Sequence, residues 1–220
     1  IKLSFGKATR LANIFSENQK LFYSSREIIF TENSIPTDFS TMKADQAWNY
    51  GVSIINSFKL FNRESQLILD YYITDFQNKV VADWETPSLI NLYNLTGKSY
   101  SNSFQAQLSY TLSNSVDLLL AYKNTDAKTD YISHGRLKNP LTPTDRLFFN
   151  LSYNGTTDEK GMSWKYDFTF NHVGEQRIPS TQENPQQYRL PNISDKLNLI
   201  NTQITRVFSD SFQLYLGIEN

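Results

Sequence analysis

The chain has 220 residues with 21 basic against 22 acidic side chains, a formal net charge of −1 and a pI near 6.2, so it offers no basic field to a nucleic acid. It has no cysteine, which removes disulfides and thiolate sites, and no run of about 18 apolar residues that would make a transmembrane helix. Its weight is aromatic, with 15 Phe and 13 Tyr at a mean hydropathy of −0.48, a value that suits a wall in which every second residue meets water.

Taken in order, residues 1–8 alternate Ile1, Leu3 and Phe5 against Lys2, Ser4 and Gly6, which predicts a short strand. A long irregular stretch with Pro36 follows over 9–44. Residues 48–60 form the second strand, with Trp48, Tyr50, Val52, Ile54 and Phe58 on one face, and Asn62, Arg63 and Glu64 make a tight reversal. The third strand runs over about 65–81, setting Leu67, Leu69, Tyr71 and Ile73 against Asp70, Tyr72 and Thr74. It loses phase over 75–79, where a bulge is expected.

Residues 84–97, with Pro87, read as a loop. Residues 104–123 then give a hairpin turning at Ser113, Asn114 and Ser115, with Phe104, Ala106, Leu108, Tyr110 and Leu112 continued by Val116, Leu118, Leu120 and Tyr122. Another long loop, 126–144, holds Pro140 and Pro143. The sixth strand carries Leu147, Phe149, Leu151 and Tyr153 against Arg146, Asn150 and Ser152, and the turn 154–161 leads to the seventh, where Met162, Trp164, Tyr166, Phe168 and Phe170 oppose Ser163, Lys165, Asp167, Thr169 and Asn171. The loop 174–194 contains Pro179, Pro185 and Pro191. Strand eight, 197–208, alternates poorly because Asn201 and Gln203 fall in phase with Leu197 and Leu199; after the turn 209–211, Phe212, Leu214, Leu216 and Ile218 mark the ninth strand.

This pattern fits an antiparallel sheet on a soluble core or a barrel wall between lipid and water. The connections separate the two. They alternate long and short along the chain, and all seven prolines lie in the long ones, where no ladder N–H is lost. Up-and-down barrels of the outer membrane segregate loop length in this way, whereas a sandwich has no reason to. Trp48, Tyr50, Tyr153 and Trp164 stand toward strand ends on the apolar face, as in an aromatic girdle.

Several stretches carry a family resemblance: FGKATRLANIFSEN at 5–18, AWNYGVSI at 47–54, LDYYITDFQNKVV at 69–81, NTQITRVF at 201–208 and LYLGIEN at 214–220. In this order they resemble strands in the β-barrel of TonB-dependent outer-membrane receptors, especially those of Bacteroidota. The resemblance implies an all-β fold, an antiparallel up-and-down transmembrane β-barrel, with about nine strands of a larger barrel of about 22. Residues 1–220 would form one partial barrel domain, with the plug domain and the last strand absent. It further implies import of a scarce nutrient, an iron complex, corrinoid or oligosaccharide, driven by the proton-motive force through TonB. The partners would be outer-membrane lipid, the chain's own plug, the TonB complex and a small nutrient ligand, and the location the bacterial outer membrane. A passive porin, an outer-membrane enzyme and a soluble β-sandwich module for glycans are the alternatives.

Chemistry is sparse, and the chain reads as a non-enzyme with no cofactor and no metal site. The two histidines, His134 in a loop and His172 at a strand end, lack ligand spacing, and Ser113 and Ser115 read as turn formers without a catalytic partner. Asp158 and Glu159 sit in a polar turn, and the Asn-x-Ser/Thr triplets at Asn94, Asn150, Asn154 and Asn192 read as chance. Lys59, Asp70, Asp117, Lys123, Arg146, Lys165, Asp167 and Arg206 are read as polar-face charges that pair across strands. If long loops form the outer vestibule, Phe22, Tyr23, Trp84, Tyr93, Tyr131, His134 and Tyr188 are the ligand-binding candidates. Arg10, Asn13, Glu17 and Asn18, in the family-like stretch, would face the plug or order the loop.

Overall fold

The computed structural model describes residues 1–11, 13–31, 42–132 and 134–220. In chain order the elements are β1 (Lys2–Arg10), single helical turns α1 (Ile14–Glu17) and α2 (Gln19–Phe22), β2 (Glu27–Phe30), β3 (Asp45–Leu60), β4 (Arg63–Asn78), β5 (Val80–Asp83), β6 (Leu89–Asn94) and β7 (Ser99–Ser113). There follow β8 (Val116–Tyr131), β9 (Gly135–Lys138), β10 (Asp145–Asn154), β11 (Ser163–Val173), a 3-10 turn (Gln186–Tyr188), β12 (Leu197–Ser209) and β13 (Phe212–Ile218).

Nine of these strands form one antiparallel meander in the order β1-β3-β4-β7-β8-β10-β11-β12-β13, the wall that the alternation predicts. The sheet is open, with β1 and β13 at its two edges, as in part of a barrel. Register explains why one face is apolar: Leu67, Leu108, Leu120, Phe149, Phe170 and Ile200 stand side by side on six consecutive strands. The row Gln66, Ser109, Leu119, Asn150, Thr169 and Asn201 runs parallel to it on the other face. Among the described residues no element covers the apolar face, and large side chains from Phe5 to Leu216 stay open there. That is the arrangement of a wall, not of a sandwich, which would put a second sheet on it.

Connections keep the predicted parity. Short ones join β3 to β4, β7 to β8, β10 to β11 and β12 to β13 at one rim, and long ones lie at the other. Pro87, Pro140, Pro143, Pro179, Pro185 and Pro191 are in the long connections, while Pro36 lies outside the described residues. The first short turn consists of Phe61 and Asn62, both at positive φ (49° and 61°), the two-residue turn whose twist suits a hairpin. Arg63 and Glu64 belong to β4 and not to this turn. The bulge expected over 75–79 is present: Gln46 pairs with Asn78 but Ala47 with Phe76, leaving Gln77 as the extra residue.

Three further expectations need correction. Residues 84–97 are not all loop, since β6 pairs in parallel with β2 and antiparallel with β5 in a small second sheet. Residues 126–144 are likewise not all loop, because β8 runs on to Tyr131 and folds back through β9. Arg206 lies on the apolar face, opposite Trp164 and in phase with Ile204 and Phe208. Phase counted from Leu197 and Leu199 misplaces it, because those two leucines fall on the polar face.

The buried core sits at the long-loop rim. Ile14 and Leu21 of the helical turns pack on Ile90 and Leu92 of β6, with Phe22, Ile28, Phe30 and Trp84 around them. Val81, Tyr93 and Tyr131 form a second cluster that ties this layer to the top of β8.

Candidate functional site

The long connections fold into a layer above the wall, held by polar contacts at its base. Arg10, the last residue of β1, donates from Nη2 to Glu17 Oε2 at 3.1 Å and to Asp45 Oδ2 at 3.0 Å. Asp45 Oδ1 also accepts the Val80 N–H at 2.8 Å. Glu17 Oε1 accepts the Asn13 N–H, Asn13 Oδ1 accepts from the Ser16 N–H at 3.2 Å as a helix cap, and Asn18 Nδ2 donates to the Ile14 carbonyl at 3.0 Å. Arg10, Asn13, Glu17 and Asn18 thus bond to one another's segment and to the strand ends. Nearby, burial pushes the Lys79 ammonium below its ordinary value, against the pull of Asp45 and Glu17.

A second knot lies further along. Glu85 is buried and receives Arg177 through two donors, Nη1 to Oε2 at 2.7 Å and Nη2 to Oε1 at 2.6 Å. Arg177 Nε donates to the Lys138 carbonyl at 2.5 Å, and its guanidinium lies 5.9 Å from the Tyr131 ring centre. Beside it the Tyr93 hydroxyl donates to Asp83 Oδ2 and accepts the Ile132 N–H, both at 3.1 Å. Burial holds the Tyr93 phenol above its ordinary value.

The sequence-predicted ligand residues separate by exposure. Tyr23 is 89% and Tyr188 64% exposed, and His134 stands in the exposed turn between β8 and β9. Phe22 and Trp84 are half-buried; Phe22 and Tyr23 border a cavity of about 390 Å³ with Asn13, Ser16 and Gln19, while Arg26 stacks 5.6 Å from the Trp84 ring centre. Tyr93 and Tyr131 are 0% and 5% exposed, so in this conformation they pack the loop layer and present no surface. Tyr23 and Phe22 are brought together on a cavity that neither His134 nor Tyr188 lines.

On the polar face just below this layer, Lys123 of β8 stands directly opposite Arg146 of β10. Together with Thr125, Thr142 and Pro143 they line a cavity of about 290 Å³. Among the described residues neither cation forms an ion pair, and their row continues through Gln105 on one side and Val173 on the other. Toward the short turns the polar face forms a larger hollow of about 680 Å³ that includes Lys59, Glu64, Gln66, Thr111, Asp117 and Asn150. There Thr111 Oγ1 donates to Asp117 Oδ1 at 2.9 Å and Gln66 Nε2 to Ser57 Oγ at 3.3 Å. Among the described residues no group of His, Asp and Glu could hold a metal ion. Glu85, Asp83 and Arg177 were not singled out from sequence, and a lone Glu beside Trp84 carries no signal that an Arg 92 residues away will meet it.

No family model matches the sequence, and no curated protein does either. A solved structure does: the ferric-catecholate import receptor Fiu from E. coli K12, in its closed form, aligns over 99% of this chain with a TM-score of 0.64 and 12% sequence identity. This chain spans 28% of the length of that receptor. At that identity the likeness shows the fold alone, and the chain has the fold of a segment of that receptor.

Proposed function

We propose that the chain is part of the barrel wall and outer loop layer of a TonB-dependent outer-membrane receptor that imports a scarce nutrient. The carrying observation is the nine-stranded meander whose apolar face is left open, whose other face is polar, and whose long and short connections lie at opposite rims. The long-loop layer is then the outer vestibule, and the polar face lines the path and holds the plug. Proton-motive energy through TonB moves that plug, so the work is transport and not bond chemistry. The likeness to an import receptor for ferric catecholates supports the same reading.

Of the three nutrient classes, an anionic one such as an iron complex is favoured by Lys123 and Arg146. Two cations in direct cross-strand register oppose each other unless an anion sits between them, and a neutral oligosaccharide gives no such relief. Tyr23, Phe22, Tyr188, Trp84 and His134 are the proposed first contacts at the vestibule, with Tyr93 and Tyr131 as the packing beneath them.

Uptake by cells carrying the full-length gene tests the reading. Accumulation of a labelled ferric complex should require both this protein and TonB. Steady ion conductance of the purified protein in planar bilayers, with uptake indifferent to TonB, would put a passive pore in its place.

A further inference from the structure

Arg206 stands where a charge is costly. It projects from the apolar face of the wall, opposite Trp164 and flanked along its own strand by Ile204 and Phe208. On the receptor reading, on which this inference rests, that face meets lipid, and a guanidinium there must find polar partners at the edge of the bilayer. The fold places Arg206 three residues before the end of β12, at the short-turn rim. In an outer-membrane barrel that rim lies at the periplasmic leaflet, which is built of phospholipid.

Its surroundings hold the group without satisfying it. The guanidinium lies 4.9 Å from the ring centre of Trp164 and 5.8 Å from that of Phe208, and Nη2 reaches the Met162 sulfur at 3.4 Å. Two aromatic faces and a thioether orient the plane of the fork but accept few of its five donors. Among the described residues no carboxylate pairs with it. The same residues continue into an apolar groove lined by Ile204, Leu214 and Leu216. A cationic fork at a polar boundary, next to an apolar trough running along the wall, matches one molecule in its two parts: a phosphate with two free oxygens, and an acyl chain.

We propose that Arg206, held between Trp164 and Phe208, binds the headgroup phosphate of an anionic phospholipid whose acyl chain lies in the adjoining groove. The guanidinium donates two parallel N–H bonds to the phosphate oxygens. An anionic headgroup is favoured over a zwitterionic one, whose cationic end would face the same guanidinium.

Native mass spectrometry of the full-length protein in detergent tests this, with phosphatidylglycerol or phosphatidylcholine added as probes. The wild type should retain phosphatidylglycerol in preference to phosphatidylcholine, and Arg206→Gln should weaken that retention roughly fivefold, the effect of one basic group at an anionic lipid surface. Arg206→Lys, which keeps charge without the fork, should fall between them, and Lys165→Gln on the polar face should leave retention as it was. Heat-modifiable gel migration reports whether each variant is a folded barrel. Equal retention by folded wild-type and Arg206→Gln protein overturns the lipid site while leaving the receptor reading intact. A full-length chain that stays in aqueous buffer and takes up no detergent overturns both.

Discussion

Arg177 and Glu85, 92 residues apart in sequence, meet through two parallel hydrogen bonds of 2.7 and 2.6 Å, with only 2% of the Glu85 side chain exposed. The pair joins the β5–β6 connection to the one between β11 and β12, and through the Lys138 carbonyl it takes in β9 as well. One charge group therefore fastens three long connections into a layer.

Removing Glu85 leaves a largely buried guanidinium without its counter-charge, a loss of about 3 kcal/mol or more where the site cannot relax. Glu85→Ala should speed amide exchange and proteolysis in the β11–β12 connection while the wall strands stay protected. The double variant Glu85→Ala/Arg177→Met should recover part of the loss, because no charge is then stranded. Exchange in that connection at the wild-type rate in Glu85→Ala would mean that the pair does not hold the layer.

The wall was legible in sequence because a period of 2 sustained over ten or more residues has one good explanation, and because Gln77 had to break that phase for β4 to continue. The layer above it was not. EIIF in β2 and LINLYN in β6 are too short to announce themselves, and their parallel pairing joins segments about 60 residues apart. Aromatic residues in loops read alike whether they pack or project, so Tyr93 and Tyr23 could not be told apart until Asp83 and Ile132 were seen to hold one of them. Arg206 was misplaced for a different reason: two leucines on the polar face inverted the phase of its strand.

Tyr93 gives a pH prediction. Burial raises its phenol above the ordinary value near 10, so the folded layer keeps a proton that the opened layer gives up. The stabilisation is therefore present in full below about pH 10 and is lost as pH climbs above it. Loop-layer protection followed by hydrogen exchange should fall off in that alkaline range. Tyr93→Phe should flatten the fall and, by leaving Asp83 and the Ile132 N–H short of a partner, lower protection at neutral pH by about 1–2 kcal/mol. An unchanged alkaline profile in Tyr93→Phe would remove Tyr93 as its cause.

Gly51 lies under the ring of Tyr72 on the polar face. A Cβ there would sit 2.5 Å from Cε1 and 2.6 Å from Cδ1 of that ring, and against the Ser4 hydroxyl. Gly51→Ala should cost about 1–3 kcal/mol in denaturant unfolding of the full-length protein, since the ring must leave its place. The cost should shrink in a Tyr72→Ser background, where the ring is gone and only the Ser4 hydroxyl still crowds the added Cβ; strictly additive effects of the two changes would show that the ring is not the obstacle.

On the receptor reading, Lys123 and Arg146 carry the prediction that bears most directly on the ligand. Their side chains share one cross-strand position on the polar face, and a protein selected only for a stable wall would gain by changing either one. Single variants Lys123→Gln and Arg146→Gln should therefore unfold no more easily than wild type. Uptake should move the other way: each change should weaken transport of an anionic iron complex, and the double variant should weaken it further while folding remains intact. Labelled-complex uptake beside heat-modifiability of the same preparations separates the two effects. Full uptake in the folded double variant would strip the pair of any part in recognising the nutrient, and the case for an anionic cargo would then have to come from the vestibule aromatics alone, which do not discriminate charge.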